Sequence, residues 1–283
     1  MNKALEEYVA YIKGKDYAGI SDETILDLLT PFLAQNKKLR SMLNDFESFE
    51  PLRRNKQIAL TAKKVREHLR KVYGSYHTKQ SKKVTFLLNN LKKAVETKGY
   101  AQTEEEHKEL IKAHRSTKER AEFIDEFYKR IFEETGLPAS IVDIACGLNP
   151  LTAFWMAPHE MIPVITGYEL SDWEVKIINE YAKICDLPIT AKRCDLNMKI
   201  PQIRAECLFA LKFFELISTK RVEQIITSAQ VNWIVASYPT KTLKREKMTK
   251  TTRAWFHLLL KRLEYPYKLL HFENEIVYII KKQ

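Results

Sequence analysis

The feature that most constrains the fold of this chain is a change of texture near residue 138. From there on, short β-rich runs alternate with stretches of helical periodicity. The strand candidates are Ser140–Ala145, Pro163–Glu169, Ile189–Asp195, Cys207–Phe214, Trp233–Tyr238, Tyr267–Phe272 and Ile276–Lys281. Strands alternating with helices give a mostly parallel sheet covered on both faces. The last two runs are separated only by Glu273-Asn274-Glu275, a short polar turn that predicts a hairpin.

Residues 1–108 read as helices only. Ser21 is an N-cap candidate, followed by Asp22 and Glu23, where the helix dipole favours acids. Ile25, Leu28, Leu29 and Phe32 follow at helical spacing, then Ile58, Val65, Leu69, Val72 and Tyr73, then Val84, Leu87, Leu88, Leu91 and Val95. Two domains are therefore expected, a helical one over 1–108 and an α/β one over 109–283.

Charge separates the two. The chain carries a net +11, and from Arg53 to Lys93 there are thirteen Lys and Arg against one acid, Glu67. The remainder is close to neutral, so a polyanionic partner is expected at this stretch. Arg53, Arg54, Lys56, Lys63, Lys64 and Arg66 are the candidate phosphate contacts. A second basic run spans Lys241–Arg253. No run approaches 18 apolar residues, and the N-terminal residues lack the features of a secretory signal, so no membrane association and a cytoplasmic location are expected. The cysteines 146, 185, 194 and 207 form no C-x-x-C pair, and no His sits at zinc spacing. Reduced thiols and no metal are expected.

The chemistry is written at the strand ends. The first strand runs Ile141-Val142-Asp143-Ile144 into Ala145-Cys146-Gly147-Leu148-Asn149-Pro150, a tight turn with Gly147 where a ligand must approach backbone. Ala145 and Asn149 stand where glycines often do, so the turn alone also suits any strand-to-helix connection. The second strand ends at Glu169, about twenty residues on, placed to accept both hydroxyls of a ribose. The third ends Cys194-Asp195-Leu196, where a carboxylate can accept from an adenine amino group. Before the first strand, His114-Arg115-Ser116-Thr117-Lys118-Glu119-Arg120 holds a capping box, Ser116-x-x-Glu119. It reads either as a well-capped helix or as a helix N-terminus that, with Arg120, receives a carboxylate.

The strings His-x-Ser-Thr-x-Glu-Arg at 114–120, Asp-Ile-Ala-Cys-Gly-Leu-Asn-Pro at 143–150 and Ser-Tyr-Pro-Thr-Lys at 237–241 resemble the aminoglycoside-resistance 16S rRNA (guanine 1405-N7) methyltransferase family. The similarity is clear over about residues 110–283 and one of kind, not motif, before that. It implies a class I S-adenosylmethionine methyltransferase: a Rossmann-like, seven-stranded, mostly parallel sheet behind an N-terminal all-helical domain. The implied partner is 16S rRNA within the 30S subunit, and a monomer is expected. The resemblance places Arg120 on the cofactor carboxylate, Glu169 on the ribose where the family usually has Asp, and Asp195 near the adenine. His114, Ala145, Gly147 and Leu196 complete the expected cofactor set, and Lys212 ends the fourth strand facing the active site.

Two departures bear on the target. Glu215 and Ser218 stand where the family usually has a Pro and an acid. Its glycine-rich loop is shortened here to Leu243–Met248. Lys212, Arg245 and Met248 are the residues expected to act on the target. Guanine N7 carries an in-plane lone pair, so positioning and not proton abstraction should supply the rate. Phe213, Phe214, Tyr238 and Met248 are the candidates to hold a flipped base, and Phe213 and Tyr238 read equally well as core. Methylation of another rRNA or tRNA site, and a non-catalytic RNA-binding factor on the same fold, are the competing readings.

Overall fold

The computed structural model describes residues 3–17, 20–73, 78–156, 161–240 and 252–282, with the side chains of 71–73, 78–81, 115 and 116 excepted. Two compact units divide the chain, Met1–Lys82 with Ser171–Trp173, and Lys83–Leu170 with Glu174–Gln283.

The first unit holds helices α1 (Lys3–Lys13), α2 (Asp22–Gln35), α3 (Lys37–Asp45) and α4 (Lys56–Tyr73). The Ser21 side chain caps α2 by accepting from the Thr24 N–H at 3.3 Å, and Asn36 caps α3 by accepting from Leu39 N at 3.0 Å. Tyr8, Ile12, Ile25, Leu29, Leu39, Leu43, Ile58, Val65 and Leu69 form its core. Tyr8 is wholly buried and keeps its hydroxyl satisfied by donating to Ile58 O at 2.8 Å, which ties α1 to α4.

The remaining helices are α5 (Thr78–Lys98), α6 (Glu104–Lys112), the single turn α7 (Arg115–Lys118), α8 (Ile124–Thr135), α9 (Asp172–Cys185), α10 (Thr219–Ser228) and α11 (Ala254–Arg262). The strands are β1 (Ser140–Ile144), β2 (Val164–Glu169), β3 (Ile189–Arg193), β4 (Cys207–Leu211), β5 (Trp233–Pro239), β6 (Tyr267–His271) and β7 (Glu275–Lys281). All seven expected strands are present, in the order β3-β2-β1-β4-β5-β7-β6. The first five pair in parallel, and β7 inserts antiparallel between β5 and β6.

This order reverses between β1 and β4, and the crevice beyond the carboxyl ends of the strands at such a switch point is where open α/β sheets take ligands. The sheet core is laid down by Ile144, Leu208, Ala210, Ile234, Ala236, Tyr278 and Ile280, with Val222, Ile225, Phe256 and Leu260 from the covering helices. Among the described residues no helix is long and apolar enough to cross a membrane.

Candidate cofactor and active site

The turn after β1 is built from left-handed backbone. Ala145 has φ 50° and Gly147 φ 51°. For Ala145 that conformation costs about 1–2 kcal/mol, which Gly147 avoids. The turn is held where the backbone curls under β2: Cys146 N donates to Tyr168 O at 3.2 Å. Gly167 sits at the crossing, and a Cβ there would lie 3.0 Å from Cys146 Sγ. Glu169 is drawn into the turn. Its Oε2 accepts from Gly147 N at 2.8 Å and its Oε1 from Leu170 N at 2.7 Å. Two backbone donors fix the carboxylate in place.

Asp195 lies just past β3. Its Oδ1 accepts from Asn197 N at 2.8 Å, while its Oδ2 is buried with no hydrogen-bond partner among the described residues. Buried polar atoms are almost always satisfied, so this oxygen is a candidate acceptor for a ligand donor. Leu196 beside it is buried, and its carbonyl accepts from Arg221 Nε at 2.7 Å. Glu169 and Asp195 thus stand at the carboxyl ends of the neighbouring strands β2 and β3.

Arg120 is the hub of a buried network. Its Nε and Nη2 donate to the two oxygens of Glu275 at 2.5 and 2.8 Å, and its Nη1 to Asn149 Oδ1 at 3.3 Å. Asn149 Nδ2 donates in turn to Asp143 Oδ2 at 2.8 Å. The guanidinium also lies over the Phe127 ring, 5.0 Å from its centroid. Burial alone would raise the Glu275 carboxyl, but the charges of Arg120 and Lys212 hold it well below the usual carboxylate range. Burial pushes Asp143 up to about 7 against the opposing pull of Asn149 and Arg120. These contacts use one N–H on each terminal nitrogen of Arg120. Glu275 reads in sequence as part of the polar hairpin turn but is the first residue of β7, a place signalled only by the apolar run that follows it.

The capping-box expectation is corrected. Ser116 lies within α7, a single turn, and the helix leading to β1 begins only at Ile124. The Glu119 carboxylate instead accepts from Lys212 Nζ at 2.5 Å. A four-residue turn has no dipole to offer an anion, so the Arg120 side chain carries that expectation alone. His114 is buried, with Nε2 3.2 Å from Glu174 Oε1.

Lys212 follows β4 at φ 56°, and its N–H is shared between Ser237 O at 3.0 Å and Ser237 Oγ at 3.1 Å. From this bend the side chain reaches the Glu119 carboxylate. Arg253, at the start of α11, ion-pairs with Glu215 and donates from Nη2 to Pro239 O at 3.0 Å, joining the segments after β4 and β5. Phe213, Phe214 and Tyr238 are all buried in the sheet core, so the core reading of Phe213 and Tyr238 holds and the base-holding expectation for Phe214 is corrected, because the helices covering the sheet enclose it. Arg245 and Met248 lie outside the described residues.

In the first unit, Arg53, Arg54, Lys56, Lys63 and Lys64 are exposed. Arg66 is half-buried. It donates from Nε to Ile12 O at 3.0 Å and from Nη2 to Tyr11 O, and stacks 4.7 Å from the Tyr11 ring centroid. It closes the C-terminal end of α1, where cations are favoured. Among the described residues no group of three or more His, Cys, Asp or Glu could hold a metal ion.

Comparison with known proteins gives a consistent result. Residues 55–279 match the family model described as "Ribosomal RNA methyltransferase (FmrO)". A 16S rRNA (guanine(1405)-N(7))-methyltransferase of Frankia casuarinae is 26% identical over 229 residues, covering 78% of this chain and 79% of that protein. One from Serratia marcescens is 27% identical over 268 residues, covering 91% and 98%. The crystal structure of the 16S rRNA methyltransferase RmtF in complex with S-adenosyl-L-homocysteine superposes with a TM-score of 0.75 at 19% identity, covering 100% of both chains.

Proposed function

Because this chain belongs to the FmrO family of ribosomal RNA methyltransferases, we propose that it methylates N7 of guanine 1405 in 16S rRNA of the 30S subunit and so confers resistance to 4,6-disubstituted deoxystreptamine aminoglycosides. The observation that carries the reading is the pair of strand-tip carboxylates, Glu169 locked by two backbone N–H groups and Asp195 with an unpartnered buried oxygen.

S-adenosylmethionine supplies the methyl group, activated on a sulfonium. Glu169 takes the ribose hydroxyls, Asp195 the adenine amino group, and the remaining N–H groups of Arg120 the amino-acid carboxylate, with His114, Ala145, Gly147 and Leu196 lining the same edge. Guanine N7 attacks through its own lone pair, so these side chains need remove no proton. Their contribution is alignment, and well-oriented reactants recover several kcal/mol of barrier. Lys212 reaches over the strand ends toward the target, and Arg245 and Met248 frame the base. In this reading residues 1–108 dock on rRNA phosphates through Arg53, Arg54, Lys56, Lys63 and Lys64, and 109–283 carry the chemistry. The protein works as a cytoplasmic monomer without metal.

The test is reverse-transcription mapping of 16S rRNA from 30S subunits incubated with the protein and S-adenosylmethionine, after borohydride reduction and aniline cleavage at N7-methylguanine. A single new cleavage-dependent stop at guanine 1405 is expected. Equal methylation of subunits carrying a guanine 1405 substitution overturns the target assignment.

A further inference from the structure

Helix α5 has two faces of unlike character. Val84, Leu87, Leu88 and Leu91 are buried. On the opposite side Lys83, Phe86, Asn90 and Lys93 follow at i, i+3, i+7 and i+10, with Asn89 adjacent, and so share one face. Phe86 is 64% exposed, the most exposed aromatic among the described residues. It has no ring partner among them, and neither Lys83 nor Lys93 has an ion-pair partner among them. The nearest acid along the helix, Glu96, lies 4.0 Å from Lys92.

An aromatic ring in water, set among unpaired ammonium groups and amides, suits a ligand that brings negative charge and a flat apolar face together. A nucleic acid does both, since phosphates answer the lysines and every base offers a π-face. Asn89 and Asn90 add donors and acceptors for base edges or a 2′-hydroxyl. In RNA the bases available for stacking on side chains are those of loops, bulges and ends.

We propose that this face of α5 is an RNA-contact surface on which Phe86 stacks against an unpaired rRNA base while Lys83 and Lys93 take the flanking phosphates. The proposal rests on the rRNA-docking reading above and adds a specific contact to it.

The test compares Phe86→Ala, Phe86→Leu and Phe86→Trp with the wild type. Binding to 30S subunits, affinity for S-adenosylhomocysteine and thermal midpoint are measured for each. Stacking is worth at least about fivefold in affinity, so Phe86→Ala and Phe86→Leu should each lose that much 30S binding. Phe86→Trp should retain it, with cofactor affinity and midpoint unchanged throughout. Wild-type 30S affinity in Phe86→Ala, or full affinity in Phe86→Leu, overturns stacking. A photoreactive benzoylphenylalanine at position 86 should crosslink to 16S rRNA; a crosslink only to a ribosomal protein also overturns it. Charge reversal at Arg53, Arg54 and Lys56 serves as the separate arm. If that variant loses 30S binding while Phe86→Ala does not, docking stands and the stacking proposal fails. If both bind as wild type, the docking reading fails with it.

Discussion

Replacing Glu275 by Gln tests whether Arg120 is a prepared ligand site or a structural cation. Glu275 is wholly buried and Arg120 is 3% exposed, and the pair is bidentate at 2.5 and 2.8 Å. Removing one partner of a buried ion pair costs about 3–5 kcal/mol because the other charge stays buried and uncompensated. Glutamine keeps one acceptor oxygen, and the Asp143 carboxylate lies beyond Asn149 in the same network, so the lower end, about 3 kcal/mol, is expected. That corresponds to a fall of about 6–12 °C in the thermal midpoint.

Against the upward push of burial, Arg120 and Lys212 hold the Glu275 carboxyl below its ordinary value of 4.5 in the fold. The stability it contributes is therefore complete above pH 4.5 and is lost as pH falls through the folded value. The gap between wild type and variant should be full at pH 7 and shrink below pH 4.5. S-adenosylhomocysteine carries a carboxylate of its own. It should raise the midpoint of Glu275→Gln by at least about 2 °C more than that of the wild type, since it restores the missing counter-charge. Scanning calorimetry or dye-monitored melting with and without the ligand reads both effects. A variant within a degree of wild type refutes the energetic argument. A destabilised variant with no larger ligand shift refutes the placement of the cofactor carboxylate on Arg120.

Glu169→Ala removes the acceptor held by Gly147 and Leu170. Charge-assisted hydrogen bonds are worth roughly 1.5–3 kcal/mol, so calorimetric titration should show at least about a tenfold loss of S-adenosylhomocysteine affinity, and unchanged affinity would remove the ribose assignment. Burial pushes the Asp143 carboxyl up to about 7 in the fold, from its ordinary value of 3.8. Wild-type stability should therefore decline as pH rises from about 4 to 7, and urea unfolding at pH 5 and 8 should show that slope flattened in Asp143→Asn. Equal slopes would mean Asp143 is ionised throughout. Reversing Arg53, Arg54 and Lys56 to Glu should weaken 30S binding and lessen its dependence on salt while leaving cofactor affinity intact, and wild-type binding would place the docking surface elsewhere.

The amino-acid sequence by itself determined the strand and helix pattern. β-rich runs alternating with helical ones admit few arrangements, and each of the seven strands lies within a few residues of its expected bounds. The Ser21 cap, the Gly147 turn and the Glu169 and Asp195 tips were also legible, because each depends on a residue type at a local position. What only the tertiary structure decided are relations across the chain. Arg120 meets Glu275 over 155 positions and Lys212 meets Glu119 over 93, and no local spacing encodes either pair. Arg66 looks like its basic neighbours in sequence, yet it turns inward because it faces the open carbonyls of α1. Phe213, Phe214 and Tyr238 stand at strand ends where a flipped base would suit them, yet the closing helices cover them. Burial is set by what packs on a residue from elsewhere, and periodicity reports only which side of its own element it occupies.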